Sequence, residues 1–194
     1  MAAGDGGSLE DPEILLSRVV PGVTIGHTGA FTWDGEVFIF GHEPGGGGQP
    51  RCQDSNAAVD KTLFFFDART GGELGTWEIE RPRSATVNCT IHNLNVVPKA
   101  DRYVLVSGNY QMGIVVIDFT DPANASQIAY ADPAPLSTDQ LVLGGDWSTY
   151  WYDGRIYESD ITRGLVVWDL GDSAVAGARK LGHLNPQTQE FTLD

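Results

Sequence analysis

A strand phrase ending in Asp is written three times along this chain, as Thr62-Leu-Phe-Phe-Phe-Asp67, Ile114-Val-Val-Ile-Asp118 and Leu165-Val-Val-Trp-Asp169. The closing aspartates stand at 67, 118 and 169, so the interval is the same both times. A period near fifty residues built from short apolar strands is the mark of a propeller array. The expectation is an all-β chain of about three four-stranded antiparallel blades. Rings of this kind close with about 4 to 8 blades, so the ring is incomplete and needs further blades or another subunit.

Composition agrees. Among 194 residues there are 24 Gly and 10 Pro, and the aromatic 10% falls in short runs, which favours strands joined by turns. Asp11-Pro-Glu-Ile-Leu-Leu-Ser-Arg18 has a helix-like start, but the Val19-Val20-Pro21 that follows suits the end of an outer strand left from a preceding repeat, and a strand is expected there. The net charge of −14 sets the chain against phosphate backbones and anionic lipid surfaces, so no nucleic acid and no membrane surface is an expected partner. Divalent cations and basic partners fit such a surface, as does solubility alone. Every apolar run falls short of the roughly 20 residues that span a bilayer, so no transmembrane segment is expected. Met1-Ala-Ala-Gly-Asp-Gly-Gly7 shows no charged segment followed by an apolar one, so no export signal is visible.

The repeats divide the chain into an N-terminal segment 1–22, a blade over 23–80 with a long loop at 44–60, a blade over 81–132, and a blade with a C-terminal tail over 133–194. In the first blade the expected strands are Thr28 to Trp33, Val37 to Phe40, Thr62 to Asp67 and Leu74 to Ile79, with a tight turn at Asp34-Gly35 because both residues tolerate positive φ. In the second they are Asn93 to Val97, Tyr103 to Ser107, Ile114 to Asp118 and Gln127 to Tyr130. In the third they are Trp147 to Trp151, Arg155 to Ser159, Leu165 to Asp169 and Ala178 to Leu184, with a turn at Asp153-Gly154. The continuously apolar third strands imply cover on both faces.

In such a blade the loop before the first strand and the loop joining the second and third emerge on one side. His27, His92 and Asp146 sit at the first kind of loop, and Glu43, Asn109-Tyr110-Gln111 and Asp160 at the second. The candidate ligand or metal residues are His27, Glu43, His92, Asn93, Tyr110, Trp147, Asp160 and Arg163. Imidazole with carboxylate suits a divalent zinc, iron or copper ion, and carboxylate with carbonyl oxygen suits calcium. The competing reading is a network of side chains tying each blade together, with Ser159, Asp160 and Trp168 taking part, since buried polar groups recurring once per repeat usually satisfy one another. Spacing leaves both open.

Catalytic signals are weak. No serine lies in Gly-x-Ser-x-Gly, and Gly45-Gly46-Gly47-Gly48 lacks the Lys of a phosphate loop. Cys52, in the long loop, and Cys89, just before His92, fall on the same side of adjacent blades, so a disulfide fits. It would place the chain in an oxidising compartment; two reduced, unrelated thiols are the alternative. Asn88-Cys89-Thr90 and Asn124-Ala125-Ser126 match glycosylation sequons, a short pattern common by chance.

His27-Thr-Gly-Ala-Phe-Thr-Trp-Asp-Gly35, Cys89-Thr-Ile-His-Asn93, Gly113-Ile-Val-Val-Ile-Asp-Phe-Thr-Asp-Pro122 and Asp146-Trp-Ser-Thr-Tyr-Trp-Tyr-Asp-Gly154, with Ser159-Asp-Ile-Thr-Arg-Gly-Leu-Val-Val-Trp-Asp169, resemble the bacterial LVIVD-repeat proteins. The resemblance covers most of residues 13 to 190, and the ending Leu181-Gly-His-Leu-Asn-Pro-Gln-Thr-Gln189 is similar to how such chains finish. It implies a β-propeller, the C-terminal portion of a longer chain, exported or surface-exposed. The function expected from it is a non-enzymatic binding scaffold that meets a protein or small-molecule ligand on the loop face. The alternative is a metal-dependent propeller enzyme, oxidoreductase-like, with His27 and His92 among its ligands.

Overall fold

The computed structural model describes residues 7–180, in which the chain forms strands, loops and three short 3-10 turns. It is all-β. The strands are β1 (Gly26–Phe31), β2 (Val37–His42), β3 (Thr62–Asp67), β4 (Glu73–Glu78), β5 (Asn93–Val96), β6 (Val104–Gly108), β7 (Ile114–Asp118), β8 (Ser126–Ala131), β9 (Asp146–Tyr152), β10 (Arg155–Asp160) and β11 (Gly164–Trp168). They make three antiparallel meanders in sequence order, β1-β2-β3-β4, β5-β6-β7-β8 and β9-β10-β11. The first two third-position strands run over the residues read from the repeat; the other strands shift by one or two residues at their ends.

The sheets pack face to face in order, because each third-position strand is apolar on both faces and must be covered. Ile39, Leu63, Phe65 and Trp77 of the first sheet meet Leu105, Val115, Ile117 and Phe119 from the second in one core. The Phe65 and Phe119 rings stack at 4.8 Å. Trp33 Nε1 donates to the Val96 carbonyl across the same boundary at 3.1 Å. A second core joins Val104, Val106, Ile114 and Val116 to Trp151 and Ile156 of the third sheet, with Ala174 and Val175 closing its end. This stacking makes the first strands neighbours, β1 beside β5 and β5 beside β9.

Four expectations need correction. Residues 12–20 form no strand. They cross the outer face of the first sheet, where no ladder partner is offered, and the Arg18 guanidinium lies 4.8 Å over the Phe66 ring and donates to the Gly71 carbonyl at 2.6 Å. The third sheet has three strands among the described residues. After β11 the chain turns to the second sheet, where Arg179 N–H donates to the Pro98 carbonyl, so residues 178–180 do not pair as a fourth strand; the rest of the expected strand, to Leu184, and the tail beyond it lie outside the described residues. β11 is accordingly not covered on both faces, with Leu165 74% and Val167 46% exposed. Finally, Asp153-Gly154 has both φ values positive, as a two-residue hairpin requires, whereas at Asp34-Gly35 only Gly35 does. There Asp34 instead accepts from Thr32 Oγ1 and Glu36 N–H in a wider turn.

The stacked rings between the first two sheets bear most directly on this packing. Phe65→Ala is expected to cost about 3–5 kcal/mol, the usual range for a buried Phe. Chemical denaturation checks it, and a loss below about 1 kcal/mol would show that the two sheets do not depend on this contact.

Candidate functional site

His27 lies in β1, Glu43 follows β2, and His92 precedes β5, so the stacking of the first two sheets delivers all three side chains to one end of the fold. Their ligand atoms, one from each, lie within 4.8 Å of one another. His27 Nδ1 is 3.4 Å from Glu43 Oε2, and His92 Nε2 is 3.5 Å from Glu43 Oε1. The two imidazoles stack in parallel, ring centres 4.7 Å apart. His92 is fully buried and Glu43 nearly so, while His27 keeps a third of its side chain in solvent.

Tyr110, in the β6–β7 loop, completes the group. Its hydroxyl donates to Glu43 Oε1 at 2.6 Å and lies 3.2 Å from His92 Nε2. Tyr110 sits at φ 55, a conformation that a bulky residue rarely adopts. Reciprocal backbone bonds to Asp146 (both 2.9 Å) hold it there, together with a Gly113 N–H donated to its carbonyl. The glycine run of the long loop lies against its ring: at Gly47, φ +69, a Cβ would come within 2.1 Å of the Tyr110 hydroxyl oxygen. Trp147 packs edge-on to both His92 and Tyr110, at 5.1 and 5.9 Å. Asn93 braces that side by donating to the Trp147 carbonyl at 2.8 Å.

The loop over 44–60 is tied down at several points. Cys52 and Cys89 form a disulfide, with Cα atoms 5.6 Å apart. Beside it the backbone bonds Arg51 N–H to the Cys89 carbonyl and Cys89 N–H to the Gln49 carbonyl. Asn88 Nδ2 donates to the Gly47 carbonyl, and its Oδ1 accepts from Gln111 Nε2 and Gly144 N–H, lacing together loops of all three sheets. Asn88 is 1% exposed and so is not open to glycosylation; Asn124 is exposed. Asp60, at the loop's far end, lies 3.6 Å from Nε2 of the buried His42 and 3.6 Å from Arg51.

Of the residues singled out from the sequence, His27, Glu43, His92, Tyr110 and Trp147 come together and Asn93 supports them. Asp160 and Arg163 do not join. The Asp160 carboxylate accepts from Thr162 N–H, Thr162 Oγ1, Arg163 N–H and Arg163 Nη1, all at 2.7–2.8 Å, and so closes its own turn. Arg163 uses its other nitrogen on the Ala134 carbonyl. Trp168 donates to Glu158 at 2.5 Å rather than to Asp160. The buried acids Asp146 and Glu158 are what the sequence reading underused. Burial, with the charges of Glu158 and Asp160 and against a bond from Thr149, pushes the Asp146 carboxyl up to about 8. No motif marks this pair, and in the strand register it is Trp147, not Asp146, that stands where the earlier repeats have His27 and His92.

Burial, reinforced by the His27 imidazole and opposed by Glu43, pushes His92 down to about 4. The ring is therefore uncharged at neutral pH. Burial and the bond to Glu43 push the Tyr110 hydroxyl up, so it stays a proton donor. A buried neutral imidazole, a carboxylate held by a phenol and a second, wetter imidazole make a set able to bind a cation, or a ligand offering both donors and acceptors.

No family model and no curated protein matches this chain. Among solved structures, the crystal structure of Chaetomium thermophilum Raptor aligns with a TM-score of 0.51 and 13% identity over 75% of this chain, a likeness of fold alone. This chain spans 11% of that one. The computationally designed Ika8 and Ika4 proteins align with TM-scores of 0.43 and 0.39, at 15% and 12% identity over 73% and 82% of this chain, which covers 32% and 99% of theirs.

The state of His92 predicts a pH dependence. Its ordinary value is 6.5 and its folded value about 4, so between these the unfolded chain holds a proton that the folded chain does not. Its contribution is complete above pH about 6.5 and is lost as pH falls towards 4, by at most about 3 kcal/mol. The stability difference between the parent protein and His92→Gln should shrink across that window. Parallel stability curves would show that His92 titrates alike in both states.

Proposed function

We propose that this chain is part of an LVIVD-type β-propeller working outside the cytoplasm as a non-enzymatic binding module, with its three sheets as consecutive blades and the side bearing the 44–60 loop as its recognition surface. One observation carries the reading: a long loop that a disulfide and an asparagine relay fasten over a polar cluster at the meeting of three sheets. A loop held in place before its ligand arrives avoids the ordering cost that a free loop pays on binding, so a rigid scaffold with a clamped loop suits recognition. The meander order and the adjacency of the first strands are those of propeller blades, and the likeness to Raptor is consistent with this at the level of fold.

The disulfide supports an oxidising compartment. Protein folded without reductant should show no titratable thiol, and two native thiols in protein recovered from an oxidising compartment would overturn that part of the reading. Replacing both cysteines by serine should lower stability by about 4 kcal/mol, the loop-closure value for a bridge spanning 37 residues. It should also open the 44–60 loop to limited proteolysis; a loop equally resistant without the bridge would remove the clamp on which the proposal stands.

The ring reading makes a separate prediction. Leu165 and Val167 on β11 and the Phe38, Phe40 and Phe66 face of the first sheet, which Leu16, Arg18 and Val20 only partly cover, are the sides at which a blade array continues. The chain on its own should therefore associate beyond its 20.9 kDa in light scattering, and Val167→Glu should reduce that association. A strictly monomeric chain at all concentrations would count against an unfinished ring.

A further inference from the structure

We propose that His27, Glu43 and His92 bind one divalent first-row transition-metal cation of zinc-like preference, with a coordination position left open towards solvent. The inference rests on the geometry of the cluster and does not require the ring to be complete.

The donor set decides the class of ion. Two imidazoles and one carboxylate are the ligands that zinc and its neighbours take, whereas calcium needs six to eight oxygens and magnesium an octahedral oxygen shell. Only Glu43 offers oxygen ligands within the trio. The spacing is wider than a loaded site and must contract. Bonds of about 2.0–2.1 Å at tetrahedral angles set neighbouring donor atoms about 3.3 Å apart, whereas one donor atom from each residue lies within 4.8 Å of the others, each imidazole meeting a different Glu43 oxygen, Oε2 at 3.4 Å from His27 Nδ1 and Oε1 at 3.5 Å from His92 Nε2. The imidazoles stack with centres 4.7 Å apart and planes 8° from parallel, so one ion cannot lie in both ring planes as they stand, and His27, a third exposed at the start of β1, is the side chain that must turn to meet it.

The surroundings are built in the manner of a metal site. Tyr110 donates to Glu43 Oε1, which orients the carboxylate and leaves Oε2 directed at His27. His92 Nδ1 is fully buried with no hydrogen bond of good geometry, beside the Trp147 backbone, while Nε2 faces Glu43. With the proton on Nδ1, the Nε2 lone pair is available to an ion, which would take the place of its 3.2 Å contact with the Tyr110 hydroxyl. Trp147 and Tyr110 wall the buried side, and the exposed edge of His27 leaves the other side for water or for a donor atom of a bound ligand. Three protein ligands with an open fourth position are the pattern of ions that bind something further, rather than of purely structural ones. The cation would thus anchor an anionic or nitrogen-donor group of the ligand that the loop face receives.

The test uses the untagged full chain with its disulfide intact, stripped with chelator and dialysed. Zn2+ is titrated by calorimetry, and Co2+ by its visible absorption. The expected result is one ion per chain, with the intense Co2+ band of a tetrahedral site. His27→Ala and Glu43→Gln should each weaken binding by at least about 100-fold, and Tyr110→Phe, which removes only the orienting bond, by about 10- to 100-fold. His27 is exposed enough for its alanine variant to keep the fold, which far-ultraviolet circular dichroism verifies. Absence of saturable one-to-one zinc binding, tighter binding of Ca2+ than of Zn2+, or equal zinc affinity in folded His27→Ala and Glu43→Gln would each overturn the site.

Discussion

The burial of one sheet face against the next is the constraint on which everything else depends. A meander of four short strands cannot hide both faces of its apolar third strand by itself. Leu63 and Phe65 are at 0% exposure only because Leu105, Ile117 and Phe119 of the following repeat lie on them. The same requirement brings Trp151 and Ile156 onto Val104, Val106 and Val116. The fold is therefore cooperative from sheet to sheet, and the places where the cover stops, on the first sheet's Phe face and on β11, are where the array is open.

The site is a by-product of that stacking. His27 belongs to the first sheet, while His92 and Tyr110 lead into and out of the first hairpin of the second. Trp147 is the second residue of the third sheet's first strand. The two imidazoles of the site come from different repeats; they face each other at 4.7 Å because β1 and β5 are pressed side by side. The long insertion then roofs the cluster, and its glycines are needed where the chain passes the Tyr110 hydroxyl too closely for a side chain. Two kinds of polar cluster coexist at this end. Asp160, with Arg163 and Thr162, satisfies itself within one turn, and its bonded donors overcome burial to hold the carboxyl below its ordinary range. Glu43, by contrast, keeps one oxygen directed at His27. That difference separates a turn-closing acid from a candidate ligand, though the two look alike in sequence.

Much of the strand plan was legible because its signal is local. An apolar run closing on Asp, flanked by turn residues and repeated at a constant interval, carries its own register, and β3 and β7 occupy the residues read from it. Where the signal required knowledge of neighbours, it failed. Ile14, Leu15 and Leu16 read as strand, yet the segment lies across a sheet face and offers no ladder. Val166-Val167-Trp168 reads as doubly covered like its counterparts, but the chain leaves for the second sheet before a fourth strand forms among the described residues. The side of the fold on which His27, Glu43 and His92 gather followed from strand order alone. Their mutual distances, and the exclusion of Asp160 and Arg163, did not.

What the sequence by itself determined was the all-β class, the three repeats and the placing of both cysteines with His27 and His92 at one end, because these follow from the period-two strand and the alternation of loops. What only the tertiary structure decided was which of those residues touch. Imidazole stacking, the Tyr110–Glu43 bond and the near-neutral titration of Asp146 all depend on distances between sheets and on exclusion of water. Those quantities arise when sheets pack, and no spacing along a chain encodes them.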